Sequence, residues 1–149
     1  AGAAGGDEVV IFGGRGDADA PGCHNDLWAL AFEDASSRRG TWREVAPTGT
    51  PPPPKVWYGA CAMGGGDWII YGGSRWQFQE DEELVNDRGV VWVLRLHDFV
   101  WSSIRPPEGS PTPDIYLACS LVPVAGSVLV LGGCMPHHLG RATPEQRTF

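Results

Sequence analysis

Three apolar runs that each end in a pair of glycines constrain the fold of this chain more than any other feature of its sequence. They occupy residues 9–14, 68–73 and 128–133, and their first glycines lie 59 and then 60 residues apart. The Thr-Trp and Val-Trp pairs at 41–42 and 100–101 repeat this spacing, as do, within one residue, the Tyr-x-Ala-Cys motifs at 58–61 and 116–119. Because three independent markers share one period, the sequence predicts a repeat architecture.

Each repeat divides into four short runs of β-branched and aromatic residues, which are typical of strands. None of these runs has the 3.6-residue period of a helix. The 21 glycines and 13 prolines fit turns between short strands, and the seven tryptophans argue against a disordered chain. The predicted strands are 8–12, 26–32 and 41–45 in a first unit, 57–63, 68–71, 90–96 and 100–104 in a second, and 116–122 and 128–131 in a third. The predicted fold class is all-β.

The glycine pairs and two of the tryptophans have predicted structural roles. Gly13-Gly14, Gly72-Gly73 and Gly132-Gly133 each end a second strand, where a close neighbouring chain or a positive φ excludes a side chain. Trp42 and Trp101 lie on fourth strands, where a large flat apolar side chain is suited to packing one sheet on the next. Four-stranded sheets stacked in this way form a β-propeller.

The order of these markers resembles the kelch repeat. Gly13-Gly14 precedes the strand at 26–32, Trp42 and a proline-rich link, and Gly72-Gly73 precedes the strand at 90–96 and Trp101. The resemblance covers residues 8–133 and implies blades of a kelch-type β-propeller. The segment Thr-Trp-Arg-Glu-Val at 41–45 is also similar to the fourth strand of kelch units in plant F-box proteins of the light-sensing class. Two departures concern the loops: residues 33–40 are inserted, and lysine stands at 55 in place of the family's link arginine.

The resemblance also divides the chain into segments. We predict an N-terminal segment 1–7, a kelch-repeat region 8–133 and a C-terminal tail 134–149, with a partial blade 8–47, a full blade 57–106 and a partial blade 115–133 inside the region. About two and a half blades cannot close a ring, and an open stack leaves strand edges and a sheet face uncovered. We therefore expect the remaining propeller blades to come from a longer chain or from self-association.

Charge and cysteine content narrow the classes of partner. The net charge is −7, and there is no basic cluster beyond Arg38-Arg39, so we expect neither a nucleic-acid nor a membrane partner. The uncharged stretch 115–136 is long enough for a membrane span, but its glycines and prolines favour a hairpin. Four scattered cysteines favour reduced thiols, which predicts a cytoplasmic or nuclear protein.

The loops that join second to third strands, and fourth strands to the next unit, are predicted to lie on one face, which we call the loop face. Antiparallel strands alternate in direction, so these loops, residues 15–24, 46–56, 74–89 and 105–114, emerge on the same side. Loops on a rigid scaffold commonly carry binding residues, and arginine and aromatic side chains are typical of interface hot spots. The candidate partner-binding residues are Arg15, Asp17, Lys55, Arg75, Trp76, Gln77, Phe78 and Arg105.

No arrangement of residues in the sequence indicates catalysis or a cofactor. Cys23-His24, and Cys134 with His137 and His138, match no strong zinc pattern, and metal binding by the second group stays open. Tyrosine and cysteine three residues apart, at 58/61 and 116/119, are also found cross-linked in galactose-oxidase relatives, but their recurrence favours structural strand positions. Iron-binding kelch relatives use Glu, Asp and His at a four-residue spacing, whereas residues 83, 87 and 91 are Glu, Asp and Val. We expect no metal, no cofactor and no catalytic residue.

The sequence therefore predicts a non-catalytic scaffold for protein–protein interaction. The kelch resemblance implies that the chain presents a partner protein, as in substrate recognition for ubiquitin ligation. An alternative from the same family is a metal-dependent propeller enzyme of the oxidase or specifier type. The two hypotheses differ in what the propeller binds, a partner protein in the first and a metal ion in the second.

Overall fold

Ten strands make up the regular structure of the part of the chain that the computed structural model describes, residues 8–16, 22–33, 39–74, 89–111 and 117–133. In chain order they are β1 (Glu8–Arg15), β2 (Cys23–Phe32), β3 (Gly40–Val45), β4 (Thr48–Gly49), β5 (Val56–Ala62), β6 (Asp67–Ser74), β7 (Val91–Arg95), β8 (Val100–Ile104), β9 (Ser120–Val124) and β10 (Ser127–Leu131). A helix long and apolar enough to cross a membrane is not found among these residues. The predicted all-β class is confirmed.

The strands form three sheets, one for each predicted blade. The first blade is β1-β2-β3, the second is β5-β6-β7-β8, with β4 added to its sheet beside β8, and the third is the hairpin β9-β10. Neighbouring strands within each blade are antiparallel. The hairpin is the one expected from the uncharged stretch, although β9 begins at Ser120 rather than at 116. The described residues thus form part of a kelch-type β-propeller, with one four-stranded blade between two partial ones.

The first and second blades pack face to face around the larger of two apolar cores. Because side chains alternate between the two faces of a strand, Phe12 of β1 lies on the same side as its register partner Leu27, toward the second blade. Trp68, Leu94 and Trp101 of the second blade complete this core. The Phe12 and Trp101 rings meet edge to face with their centroids 5.1 Å apart, an arrangement that contributes about 0.5–1.5 kcal/mol beyond burial.

A smaller core joins the second and third blades. Cys61, Ile69 and Tyr71 lie on the face of the second blade that points away from the first, and they pack with Cys119 and Leu121. The second blade therefore has an apolar core on each of its faces, and the three sheets stack in chain order.

The two fourth-strand tryptophans differ in burial. Trp101 is 2% exposed, as predicted for a side chain that packs one sheet on the next, but Trp42 is 48% exposed. Trp42 is in register with Leu30, on the face of the first blade that points away from the second. The predicted packing role is confirmed for Trp101 and stays a prediction for Trp42, because no blade among the described residues lies on that face.

All six glycines of the three pairs adopt a positive φ, between 61° and 112°, as the sequence predicts. At Gly73 there is also no room for a side chain, since a Cβ would lie 2.7 Å from the carbonyl oxygen of Val56. Strands β1 and β6 continue through their glycine pairs to Arg15 and Ser74. These two pairs therefore lie within their strands instead of ending them.

The link between the first and second blades takes a path that the sequence did not predict. Residues 46–56 were expected on the loop face, but Thr48 and Gly49 form β4, which pairs in parallel with β8 at the outer edge of the second blade. The Thr48 backbone N–H also donates to the Phe99 carbonyl oxygen over 3.0 Å. The first part of the link thus pairs with the outer edge of the second blade. The link reaches the loop face only at its end, at Lys55.

Candidate interaction surface

The seam between the first two blades carries the candidate site on the loop face. Here β1 ends and β2 begins, with Gly14 in register with His24 and Arg15 with Cys23. The link ends at the same point. The Lys55 backbone N–H donates to the His24 carbonyl oxygen over 3.3 Å, and the Gly14 N–H donates to the Lys55 carbonyl oxygen over 3.4 Å. Two backbone hydrogen bonds thus join the link to the first blade.

The Lys55 side chain is buried in the seam and forms a hydrogen bond with the second blade. It is 4% exposed, and its ammonium donates to the carbonyl oxygen of Gly72 in the second blade over 3.3 Å. A buried charge needs such partners because its desolvation is costly. The prediction that Lys55 contacts a partner protein is therefore wrong, since the side chain lies inside the seam and connects the link to the second blade.

Amine-reactive labelling tests this position directly, because Lys55 is the only lysine in the chain. We expect acylation of Lys55 to be at least about tenfold slower in the folded protein than in urea, since a buried amine reacts only when the seam opens. Peptide mass spectrometry measures the rate at Lys55, and a lysine-containing peptide added to each sample controls for reagent reactivity. Equal rates in the two states would contradict the buried position.

Tyr58 makes a second connection across the seam. Its hydroxyl donates a hydrogen bond to the Phe12 carbonyl oxygen, and the two rings lie 6.1 Å apart between centroids. Burial raises the pKa of Tyr58 to about 12, because the phenolate would lose its hydration. The tyrosine of the repeated Tyr-x-Ala-Cys motif is therefore a structural group in the second blade.

Replacing Tyr58 by phenylalanine should lower the free energy of unfolding by about 1–2 kcal/mol at neutral pH, because the Phe12 carbonyl loses its hydrogen bond. The pKa of Tyr58 is higher in the folded state than the unfolded value of about 10. Its contribution is therefore fully present below about pH 10 and is lost as the pH rises through about 12. Urea unfolding of both proteins between about pH 8 and 11.5 should show a difference that narrows with rising pH. A difference that stays constant would contradict the shifted pKa.

Four exposed residues lie within two residues of Gly14, His24 or Lys55, whose backbone groups form the hydrogen bonds of the seam, and we call them the seam surface: Arg15, His24, Asn25 and Trp57. Trp57 is 44% exposed, and its φ of 58° lies in the left-handed region that bulky residues rarely adopt. Its carbonyl oxygen accepts a hydrogen bond from the Ala118 N–H over 2.7 Å, which ties this backbone to the segment before β9. Such a conformation costs about 1–2 kcal/mol, and strain of this kind clusters at functional sites.

The sequence prediction includes one member of the seam surface, Arg15, and omits the other three. Trp57 was assigned only to the start of a strand, because nothing in the residue type indicates a left-handed backbone. His24 was considered only as a metal ligand beside Cys23. The signal that could have identified both is position, since His24 ends the predicted loop 15–24 and Trp57 directly follows the link 46–56.

Arg105, another predicted partner-binding residue in the described part of the chain, lies apart from Arg15. Arg105 is exposed and follows β8, which lies on the outer side of the second blade. Arg15 ends β1, which is the edge strand on the inner side of the first blade. The other predicted residues lie outside the described part of the chain, and their roles stay predictions: Asp17, Arg75, Trp76, Gln77 and Phe78.

The face opposite the loops carries charged pairs near the turn between β7 and β8. Arg95 donates two hydrogen bonds to the Asp98 carboxylate, over 2.8 and 2.7 Å, and this contact lowers the pKa of Asp98. Arg43 of the first blade pairs with Glu8 at 3.1 Å, and its guanidinium lies 5.3 Å from the centroid of the Phe99 ring. These contacts are made within and between the first two blades. Arg95, on the face opposite the loops, serves below as the control in the binding experiment.

The described residues show no arrangement for a metal centre or for a Tyr–Cys cross-link. They contain no group of three or more His, Cys, Asp or Glu residues that could hold a metal ion. Tyr58 packs against the core toward the first blade and Cys61 lies in the core toward the third, so these two side chains are on opposite faces and cannot be cross-linked. Burial raises the pKa of the Cys61 and Cys119 thiols, which makes them weak nucleophiles. The group at 134–138 lies outside the described residues.

Antiparallel sheets that stack in chain order with a period of 59–60 residues define a repeat-type β-propeller. The family model described as the KLHDC2/KLHL20/DRC7 Kelch-repeats domain matches residues 1–139. The chain belongs to this kelch-repeat family. Kelch-repeat domains are generally non-catalytic interaction modules.

Two curated plant proteins are similar to part of the chain. It is 38% identical over 65 residues, 44% of its length, to Adagio-like protein 3 of Oryza sativa subsp. japonica and to Adagio protein 3 of Arabidopsis thaliana. These matches confirm the likeness to plant F-box/kelch proteins that residues 41–45 indicate. The matched segment spans 9% of the length of each relative.

Proposed function

We propose that this kelch region is a non-catalytic scaffold that binds a partner protein through the seam surface on its loop face. The observation that carries the proposal is Trp57, an exposed tryptophan whose left-handed backbone is tied to the next segment by a hydrogen bond. A rigid aromatic side chain loses little conformational freedom on binding, and tryptophan and arginine are enriched among interface hot spots. Arg15 and His24, which are exposed at the end of β1 and the start of β2, supply polar side chains.

The packing beneath the seam surface supports this proposal. Lys55 and Tyr58, which are close to Trp57 in the sequence, connect the two blades through hydrogen bonds to Gly72 and Phe12. A surface that is held rigid before binding loses less entropy when a partner docks. The seam therefore offers a preorganised platform and not merely a set of exposed side chains.

We infer further that the bound partner is a substrate presented for ubiquitin ligation, in the cytoplasm or the nucleus. The similarity to plant F-box/kelch proteins supports this role. Lysine side chains are the acceptors of ubiquitin, and the only lysine of this chain is buried in the seam. A ligase that contained this region would therefore modify the bound protein and leave the region itself intact. The free thiols of Cys23, Cys61 and Cys119 fit a reducing compartment.

Quantitative affinity capture from cells tests the scaffold role. We expect the double variant Trp57→Ala with Arg15→Ala to recover specific partner proteins about tenfold less well, since truncating a hot spot typically costs more than 1 kcal/mol. Arg95→Ala is the matched control, because it removes an arginine on the opposite face, and it should leave recovery unchanged. Thermal unfolding verifies that each variant is folded. Unchanged recovery by the double variant would reject the seam surface.

The half-life of a captured partner in cells tests the ubiquitin role separately. We expect it to lengthen in cells that express the Trp57→Ala, Arg15→Ala variant in place of the wild-type protein. Lost capture with an unchanged half-life would reject the role in ubiquitin ligation while leaving the scaffold role supported.

A further inference from the structure

The two links that follow the first and second blades carry the same short motif at the same place in the repeat. Residues 49–51 are Gly-Thr-Pro and residues 109–111 are Gly-Ser-Pro, 60 residues apart. Both glycines adopt a left-handed backbone, with φ of 79° at Gly49 and 77° at Gly109. In each link, a left-handed glycine is therefore followed by a hydroxyl residue and then by a proline.

Both hydroxyl residues lie outside the strands and reach solvent. Thr50 is exposed and directly follows β4, and Ser110 is partly exposed and precedes the exposed Pro111. The Ser110 backbone N–H donates to the Pro107 carbonyl oxygen over 3.1 Å, which closes the turn before it. A residue that precedes proline is disfavoured in the helical region, so both residues favour an extended backbone. Each hydroxyl thus belongs to an extended segment that a second protein can reach.

This combination suits a proline-directed protein kinase. Such an enzyme binds the segment around its acceptor hydroxyl in an extended conformation and selects a proline directly after the acceptor serine or threonine. Proline is suited to that position because it has no backbone N–H that would be left without a hydrogen bond in the kinase cleft. Thr50 and Ser110 meet both requirements.

Three other exposed hydroxyl residues near the outer edge of the second blade meet neither requirement. Thr48, Ser102 and Ser103 are exposed, but they lie within β4 and β8, where the strands pair with their neighbours. None of the three precedes a proline. A kinase could bind them in its cleft only after the strand had left the sheet. They are therefore internal controls for the effect of exposure alone.

We propose that Thr50 and Ser110 are phosphorylation sites for a proline-directed kinase that uses ATP as the phosphoryl donor. The hydroxyl oxygen bonds to the γ-phosphorus of ATP, the bond from that phosphorus to the leaving ADP breaks, and the hydroxyl proton passes to the catalytic base of the kinase. The Thr-Pro pairs at 112–113 and 143–144 lie outside the described residues and are not part of the proposal.

The two phosphates would mark both links with negative charge. Each phosphate carries about −1.5 to −2 charges at pH 7, so the net charge of −7 would become about −10 to −11. Anion-exchange chromatography can therefore separate the modified forms of the protein. The proposal goes beyond the scaffold role, because it does not depend on what binds the seam surface.

Phosphorylation of the folded protein by two purified proline-directed kinases, a mitogen-activated protein kinase and a cyclin-dependent kinase, tests the proposal. Peptide fragmentation in the mass spectrometer assigns each phosphate to one residue. We expect phosphate at Thr50 and Ser110, and rates at least about tenfold lower at Thr48 and in β8, where the sheet must open first. Thr50 should react in the folded protein within about threefold of its rate in a synthetic peptide of residues 44–55, because no opening is needed.

Pro51→Ala and Pro111→Ala keep each hydroxyl and remove the proline that the kinase selects. Each should slow phosphorylation of the preceding residue by about tenfold or more and leave the other site unchanged. Pro54→Ala is the matched control, because it removes a proline of the same link that follows no hydroxyl residue, and it should leave Thr50 phosphorylation unchanged. Thermal unfolding verifies that each variant is folded.

Two results would overturn the proposal as a whole. One is the absence of phosphate from both sites with both kinases, and the other is phosphorylation of Thr48 as fast as that of Thr50. An unchanged rate at Thr50 in Pro51→Ala would reject the proline-directed class of kinase. Phosphate at one site alone would reject the other site.

Discussion

Trp101→Ala should lower the free energy of unfolding by about 3–5 kcal/mol, the range typical of removing a fully buried tryptophan. Trp101 is 2% exposed, and its ring packs edge to face on Phe12. The substitution removes the side chain that joins β8 to the first blade and leaves a cavity between two rigid sheets. Urea unfolding followed by far-UV circular dichroism measures the loss.

Trp42→Ala is the matched control, because Trp42 holds the same position in the repeat but is 48% exposed. We expect a loss of less than about 1 kcal/mol. A loss at Trp101 as small as the loss at Trp42 would mean that Trp101 is not buried between two sheets. That result would contradict the stacking of the first blade on the second.

Gly73→Ala should cost about 2–4 kcal/mol, because two effects add. The φ of 82° is unfavourable for any residue with a Cβ, and the new Cβ would lie 2.7 Å from the Val56 carbonyl oxygen, so that β5 would have to move. Urea unfolding again measures the loss.

Gly132→Ala separates the two effects at Gly73. Its φ is 65°, but a Cβ there would meet no atom within 4 Å. We therefore expect only the conformational cost of about 1–2 kcal/mol. A loss at Gly73 no larger than the loss at Gly132 would contradict the steric conflict between a Cβ at Gly73 and the Val56 carbonyl oxygen.

The sheets and their stacking could be predicted because separate markers in the repeat identify different strands of each unit. The glycine pairs locate the second strands, and the tryptophans locate the fourth. Strand β4 could not be predicted, since Thr48 and Gly49 have no strand pattern of their own and pair only because Phe99 and β8 lie beside them. The exposure of Trp42 depends on whether another sheet covers it, which the local sequence does not reveal.

The candidate site could be predicted only in part. Arg15 follows from the alternation of strand directions, which requires only the order of strands. Lys55 was assigned to the surface because a charged residue in a proline-rich link usually lies in solvent. Its position in the seam depends on hydrogen bonds with backbone groups of Gly14, His24 and Gly72, which belong to three separate segments. Trp57 depends on a positive φ that its residue type disfavours.

The central claim of this account is that successive repeats form sheets packed face to face. A double-mutant cycle between Phe12→Leu and Trp101→Ala tests this claim most directly, because the two side chains belong to different repeats. Unfolding free energies of the wild-type protein, both single variants and the double variant should give a coupling energy of about 1 kcal/mol or more. The same cycle between Phe12→Leu and Trp42→Ala should give less than about 0.5 kcal/mol. A coupling energy near zero between Phe12 and Trp101 would contradict the claim.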